Sequence, residues 1–201
     1  MPTAAPTDRA LARRQQVLDA AAECFRRRGF HAASMAEIAK AAGMSPGHIY
    51  NLFENKDDII AAIVERDCVE LMGRIAELQQ ADDVLVQMLA ETERAIDEST
   101  QVADAALELE VLAEASRNPK LAAVVRQGEE LMHRKAQDLV RQSLGLEADA
   151  LPPGEIQARA LLLAALFNGL TALSVRQPAL PQLVPAIAPV MRRMLRVLLA
   201  P

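Results

Sequence analysis

The sequence predicts an all-α protein of about nine helices. Apolar residues make up 51% of the 201 residues while aromatics make up 2%. The core must therefore come from Ala, Leu, Val, Ile and Met, which apart from the β-branched members are strong helix formers. Apolar side chains recur at helical spacing along most of the chain, and recognisable start and stop signals bracket the recurrences. No stretch reads as a strand, and no internal repeat is present.

The elements follow in order. Residues 1–8 read as a flexible tail. From about Arg9 to Arg28, Val17, Ala21, Cys24 and Phe25 share a helical face, and Gly29 suits the left-handed residue that ends a helix. Ser34-Met35-Ala36-Glu37 forms a capping box opening a short helix to about Ala42. Gly43 provides the turn, Ser45 caps a third helix with Pro46 at its first position, and that helix is expected to reach about Phe53. Asn55 caps a fourth, with Asp57 and Asp58 in the first turn, where the helix dipole favours anions. It runs to about Gln79. Longer helices are expected over 83–100, 102–116, 119–144 and 155–176, with a last one ending near Leu199. Pro181, Pro185 and Pro189 cannot all lie inside it undisturbed, so it starts late or kinks.

Charge and composition narrow the function classes. Cys24 and Cys68 make no disulfide framework. The opening residues lack the apolar segment of a secretory signal. The longest uncharged run, Ala160–Val175, is shorter than the roughly 20 apolar residues that span a bilayer. The expectation is a cytoplasmic protein with no membrane partner. The net charge of −5 is unevenly placed. Between Arg9 and His48 seven basic residues face three acidic ones, so the rest of the chain is strongly acidic. A basic end on an acidic body fits a nucleic-acid-binding module joined to a larger domain with another task.

The two short helices joined by Gly43-Met44-Ser45 have the form of a helix-turn-helix. Ala39 supplies the small residue where they cross, and Ile38, Met44, Ile49 and Phe53 supply apolar contacts to the first helix. The pattern Ser34-Met35-x-x-Ile38-Ala39-x-x-Ala42-Gly43-Met44-Ser45-x-Gly47-x-Ile49-Tyr50-x-x-Phe53-x-Asn55-Lys56-Asp57-Asp58 resembles the DNA-binding signature of the tetracycline-repressor (TetR) family over about residues 10–60. Leu52 departs from it, standing where the family often carries His or Tyr. The resemblance implies a helix-turn-helix DNA-binding domain over 9–55 and a helical effector-binding and dimerisation domain over 56–201. It also implies a homodimer formed through the last two helices, about 155–176 and 186–199, bound to double-stranded operator DNA.

The resemblance further implies a repressor released from a palindromic operator by a small apolar or amphipathic effector. Ser34, Tyr50 and Lys56 are the expected phosphate contacts, which position but do not specify. Gly47 lets backbone approach DNA, and His48 and Asn51, with Ser45 and Pro46 nearby, are the expected base readers. Arg13 and Arg14 are placed to reach phosphates, and Arg26, Arg27 and Arg28 to face solvent. Effector candidates are Met72, Met88, Glu108, Leu112, Met132, His133, Phe167 and Asn168. Phe167 is the sole aromatic residue beyond Phe53, which argues against a multi-ring cage for a quaternary cation.

Rival readings are weaker. Glu130-x-x-His133 looks like half of a di-iron bundle site, yet the histidines are His31, His48 and His133, so the second half is missing. No phosphate-binding glycine loop or nucleophile elbow occurs, so no enzyme, cofactor or metal site is expected. Thiol sensing by Cys24 or Cys68 is disfavoured because both sit in apolar patterns. A helical carrier of small molecules without a DNA role is the remaining alternative.

Overall fold

A computed structural model describes residues 6–200, with side chains from Arg9 onward. Nine α-helices follow one another among these residues, with no strand. The first, α1 (Pro6–Arg28), begins earlier than expected. Pro6 occupies its first position, where a missing N–H costs nothing, so residues 6–8 belong to the helix. The remaining tail lies outside the described residues. Val17, Ala21 and Phe25 are buried at 2% exposure or less, as their spacing requires. Gly29 stops α1 at φ +80°.

Two short helices come next, α2 (Met35–Ala41) and α3 (Pro46–Tyr50). The capping box at Ser34 is fully formed: Ser34 Oγ accepts the Glu37 N–H at 3.2 Å, and the Glu37 carboxylate accepts the Ser34 N–H at 3.0 Å. The same carboxylate takes the Ser34 hydroxyl proton and pairs with Arg28. Arg28 is thus an anchor for α2 rather than a solvated end of α1. Gly43 at φ +63° makes the turn, with Met44 N–H donating to Ala39 carbonyl at 2.9 Å. The third helix is shorter than expected. It ends at Tyr50 because Asn51 is already its C-cap and the Leu52 N–H drops back to the Ile49 carbonyl.

Helix α4 (Lys56–Gln79) starts on Asn55, whose side chain accepts the Asp58 N–H at 2.9 Å. Then follow α5 (Val84–Ser99), α6 (Val102–Ala115), α7 (Pro119–Leu144), α8 (Glu155–Arg176) and α9 (Val184–Leu199), all close to the spans read from the periodicity. The three prolines near the end are resolved by position. Pro181 sits in a 3-10 turn, Leu180–Leu183, Pro185 lies in the first turn of α9, and Pro189 is tolerated inside it.

The chain divides into two compact units. One runs to Asp67 and takes in Ala106–Val125; the other is Cys68–Ala105 together with the chain from Arg126 onward. The unit holding the helix-turn-helix is therefore larger than the 9–55 span read from the sequence. Its core joins Phe25, Ile38, Ile49 and Ile59 to Leu107, Val111 and Leu121. In the second unit α5 packs on α8 and α9 around Met88, Ile96, Leu163, Met191 and Leu195. Its buried hydroxyls turn back on their own helices: Thr92 donates to the Met88 carbonyl, Thr100 to that of Ile96, and Ser174 to that of Thr171. Arg159 on α8 donates to the carbonyls of Leu198 and Ala200 at 3.0 and 2.9 Å, satisfying acceptors that a helix C-terminus leaves open.

Helix α9 presents two apolar faces. Met191 and Leu195 are buried in their own unit, whereas Met194 and Val197 are 45% and 83% exposed. Helix α8 likewise buries Leu163 but leaves Leu161 and Leu162 more than half exposed. With its flanking residues α8 reaches 22 residues and is long and apolar enough, by length and composition, to cross a bilayer.

Replacing Ser34 with Ala is expected to cost about 1 kcal/mol of stability through the lost cap. Denaturant unfolding should show a lower midpoint at an unchanged m-value.

Candidate nucleic-acid interface

A helix of five residues cannot hold itself together by backbone hydrogen bonds. The α3 helix is fixed instead by Ile49, which is fully buried, and by Ala39 and Ile38 beneath the crossing. That burial turns the other side of α3 outward. Ser45, Pro46, Gly47, Tyr50 and Asn51 are all exposed, with Tyr50 at 55%. Five of the expected contact residues thus share one exposed surface.

Several have structural tasks as well. Ser45 caps α3 by accepting the His48 N–H at 3.4 Å, Pro46 opens the helix, and Asn51 closes it. Gly47 has no such task. Its φ is not in the left-handed region, and a Cβ placed on it would meet nothing within 4 Å. Packing within the chain therefore gives no reason for glycine here, as it gives none at Gly73 or Gly169.

Other expected contacts sit differently. His48 is half-buried, and its Nε2 is enclosed with no protein partner, so that nitrogen is not presented outward. Lys56 is half-buried and commits two of its three donors. Its ammonium bonds the carbonyls of Phe30 at 2.7 Å and His31 at 3.0 Å, and it lies 4.8 Å from the centre of the Phe30 ring. Ser34 is exposed, but its hydroxyl is engaged with Glu37. Arg13 is exposed on α1, while the Arg14 guanidinium rests 4.3 Å over the Phe53 ring. Arg14 lines one cleft of about 600 Å³ with Tyr50 and Asn51. That stacking was not read from the sequence, although Arg14 itself was. Lys120 pairs with Asp58 and, with the Glu54 and Asn55 amides, holds that carboxyl below the usual carboxylate range, so the first turn of α4 stays negative.

The effector candidates scatter. Met88 is buried, and Met132 and Phe167 pack against the core of the second unit. Met72 and His133 are half-buried, and Asn168 is exposed. Glu108 and Leu112 are exposed and belong to the other unit. Burial and the charge of Glu129 push the Cys68 thiol up, which keeps it from being a thiolate at neutral pH. Cys24 is buried.

Comparison with known proteins decides the family. The profile described as "Bacterial regulatory proteins, tetR family" matches residues 17–63, the segment that builds α2, the turn and α3. A second, "BetI-type transcriptional repressor, C-terminal", matches residues 81–200. The chain belongs to the TetR family of DNA-binding transcriptional regulators. This TetR-family chain is 32% identical over 147 residues to the HTH-type transcriptional regulator UidR of Escherichia coli K12, spanning 71% of this chain and 68% of that protein. The structure of GusR from Salmonella enterica superposes with a TM-score of 0.72 at 27% identity, covering 94% of this chain and 96% of that one. FadR of Bacillus subtilis, solved in complex with stearoyl-CoA, shares the fold at 17% identity, with a TM-score of 0.64 over 92% and 97% of the two chains.

The open space at Gly47 separates folding from DNA approach. Gly47→Leu is expected to keep the wild-type circular dichroism and thermal midpoint while abolishing operator retention in a gel-shift assay.

Proposed function

We propose that this TetR-family regulator is a cytoplasmic homodimeric repressor that leaves a palindromic operator when a small apolar or amphipathic effector binds. The observation that carries the DNA side is the outward face of α3, with Gly47 unexplained by internal packing and Tyr50 and Asn51 beside it. Residues 9–55 form the DNA-reading part and 56–201 the effector and dimerisation part. Asn51 reads a base edge, where a bidentate bond to adenine is worth on the order of 1–3 kcal/mol of discrimination. His48, Ser45 and Pro46 flank it. Tyr50, Ser34 and the remaining donor of Lys56 contact phosphates. Repression rather than activation is supported by the repressor profile matched by the C-terminal part.

The dimer forms through α8 and α9. Supporting this is an apolar groove of about 630 Å³ on their outer faces, lined by Leu162, Leu166, Met194, Val197 and Leu198 between Arg159 and Arg193. A surface this apolar needs a cover, and a second copy presents the same surface to it, as two-fold symmetry demands. The effector class rests on the apolar side chains that Met88, Met132 and Phe167 add to the core of the second unit, with Met72 half-buried in that unit, and on the stearoyl-CoA bound by the FadR structure. His133 and Asn168, in the same unit, are further contacts for its polar end. The effector weakens operator binding by no more than its preference for one dimer state over the other.

Operator binding should weaken steeply as salt rises, because phosphate contacts release counterions. Tyr50→Phe should weaken binding to all sequences alike, whereas Asn51→Ala should flatten the preference between operator and mutated operator. Equal loss on both DNAs would remove Asn51 from base reading. Leu162→Glu should convert the dimer to monomer in sedimentation velocity and abolish operator binding with it; a dimer that persists places the interface elsewhere.

A further inference from the structure

The connection between α1 and α2 is held by charged groups of α4 and α6. Its central residue is Phe30, whose ring is buried and packs edge-on against Phe25 at 5.3 Å between centroids. The Phe30 carbonyl accepts from the Lys56 ammonium at 2.7 Å. Its N–H donates to the Glu110 carboxylate at 2.5 Å. Both polar groups of one peptide residue are thus committed to opposite charges carried by α4 and α6.

Glu110 reaches this point because the preceding residue is glycine. A Cβ at Gly29 would lie 2.9 Å from Glu110 Oε1, inside any real contact distance. The left-handed φ of Gly29 requires glycine, and the Glu110 carboxylate occupies the space that the missing Cβ leaves. One turn further along α6, Glu114 bonds the His31 ring at 3.1 Å. The start of α7 continues the contact: Asn118 donates to Asp57 at 3.0 Å, and Lys120 pairs with Asp58.

We infer that Glu110 is a positioning residue for operator binding: its carboxylate clamps the Phe30 amide and so fixes the loop from which α2, and through α2 the recognition helix, is set. It touches no DNA in this reading. The loop runs directly into Ser34, the N-cap of α2, with Ala33 N–H bonded back to the Gly29 carbonyl at 3.2 Å. A shift at Phe30 is therefore passed to α2 over four residues, and α2 packs on α3. Glu110 rides on α6, whose opening residues, Val102–Ala105, belong to the second unit.

The experiment compares the full-length chain with Glu110→Ala and Glu110→Gln. Operator affinity is measured by fluorescence anisotropy on a footprinted fragment, with thermal midpoint, sedimentation and amide exchange at residues 30–33 read in parallel. Glutamine keeps an oxygen that can accept the Phe30 N–H. The expected result is a tenfold or greater loss of affinity for Glu110→Ala, faster exchange at 30–33, an intact dimer, and recovery to within about threefold of wild type by Glu110→Gln. Wild-type affinity in Glu110→Ala overturns the inference. So does an affinity loss in both variants that follows the fall in thermal midpoint without faster exchange at 30–33, since that outcome assigns Glu110 to general stability. If the wild-type chain itself binds no footprinted DNA, the operator reading fails instead, and exchange at 30–33 still reports on the clamp.

Discussion

The DNA-facing surface depends on the burial of Ile49. A segment of one and a half turns has no cooperative stability of its own, because nucleation costs more than so few hydrogen bonds return. Ile49 is removed completely from water against Ile38 and the α1 face of Val17, Ala21 and Phe25. Burying one such side chain contributes about 1.5–3 kcal/mol, enough to decide the conformation of five residues but little more. Ala39 matters for the same reason. Its small side chain lets α2 and α3 approach closely enough for Ile49 to be covered. Everything displayed on the far side of α3 is placed by what is hidden on the near side.

The two halves of the protein balance order differently. In the unit with the helix-turn-helix, polar side chains fix the loops: Glu37 gathers Ser34 and Arg28, Lys56 gathers two carbonyls, and Asn118 both caps α7 and reaches Asp57. Charged groups bonded to backbone are among the stronger hydrogen bonds in proteins, at roughly 1.5–3 kcal/mol each. In the second unit order comes from aliphatic packing of α5 against α8 and α9, with long ties from Arg192 to the Leu89 carbonyl and from Arg159 to those of Leu198 and Ala200.

How much of this was legible in the sequence follows from range. Caps, glycine turns and helix spans are local, so Ser34, Gly43, Asn55 and the limits of α7 and α8 were readable from neighbouring residues. Family resemblance nominated the DNA-contact candidates, because Ser45 to Lys56 form a fixed pattern. Contacts between distant segments were not readable. Lys56 was expected to face phosphate, and its engagement with Phe30 and His31, 26 and 25 residues earlier, has no sequence signature. Glu110 was overlooked, although it interrupts an apolar stripe marked by Leu107 and Val111. Glu108, two residues before it, drew attention in its place. For α9, periodicity shows that a helix is apolar on several sides but not which side its own chain covers.

The inward-turned hydroxyls of Thr92, Thr100 and Ser174 carry a chemical consequence. Each has donated its proton to a carbonyl of its own helix. A guest enclosed by that core would find few hydrogen-bond donors waiting for it, and would be sorted by girth and flexibility more than by the arrangement of its heteroatoms. Selectivity of that kind is broad, since one extra methylene in an apolar site discriminates by only about 1–3 kcal/mol.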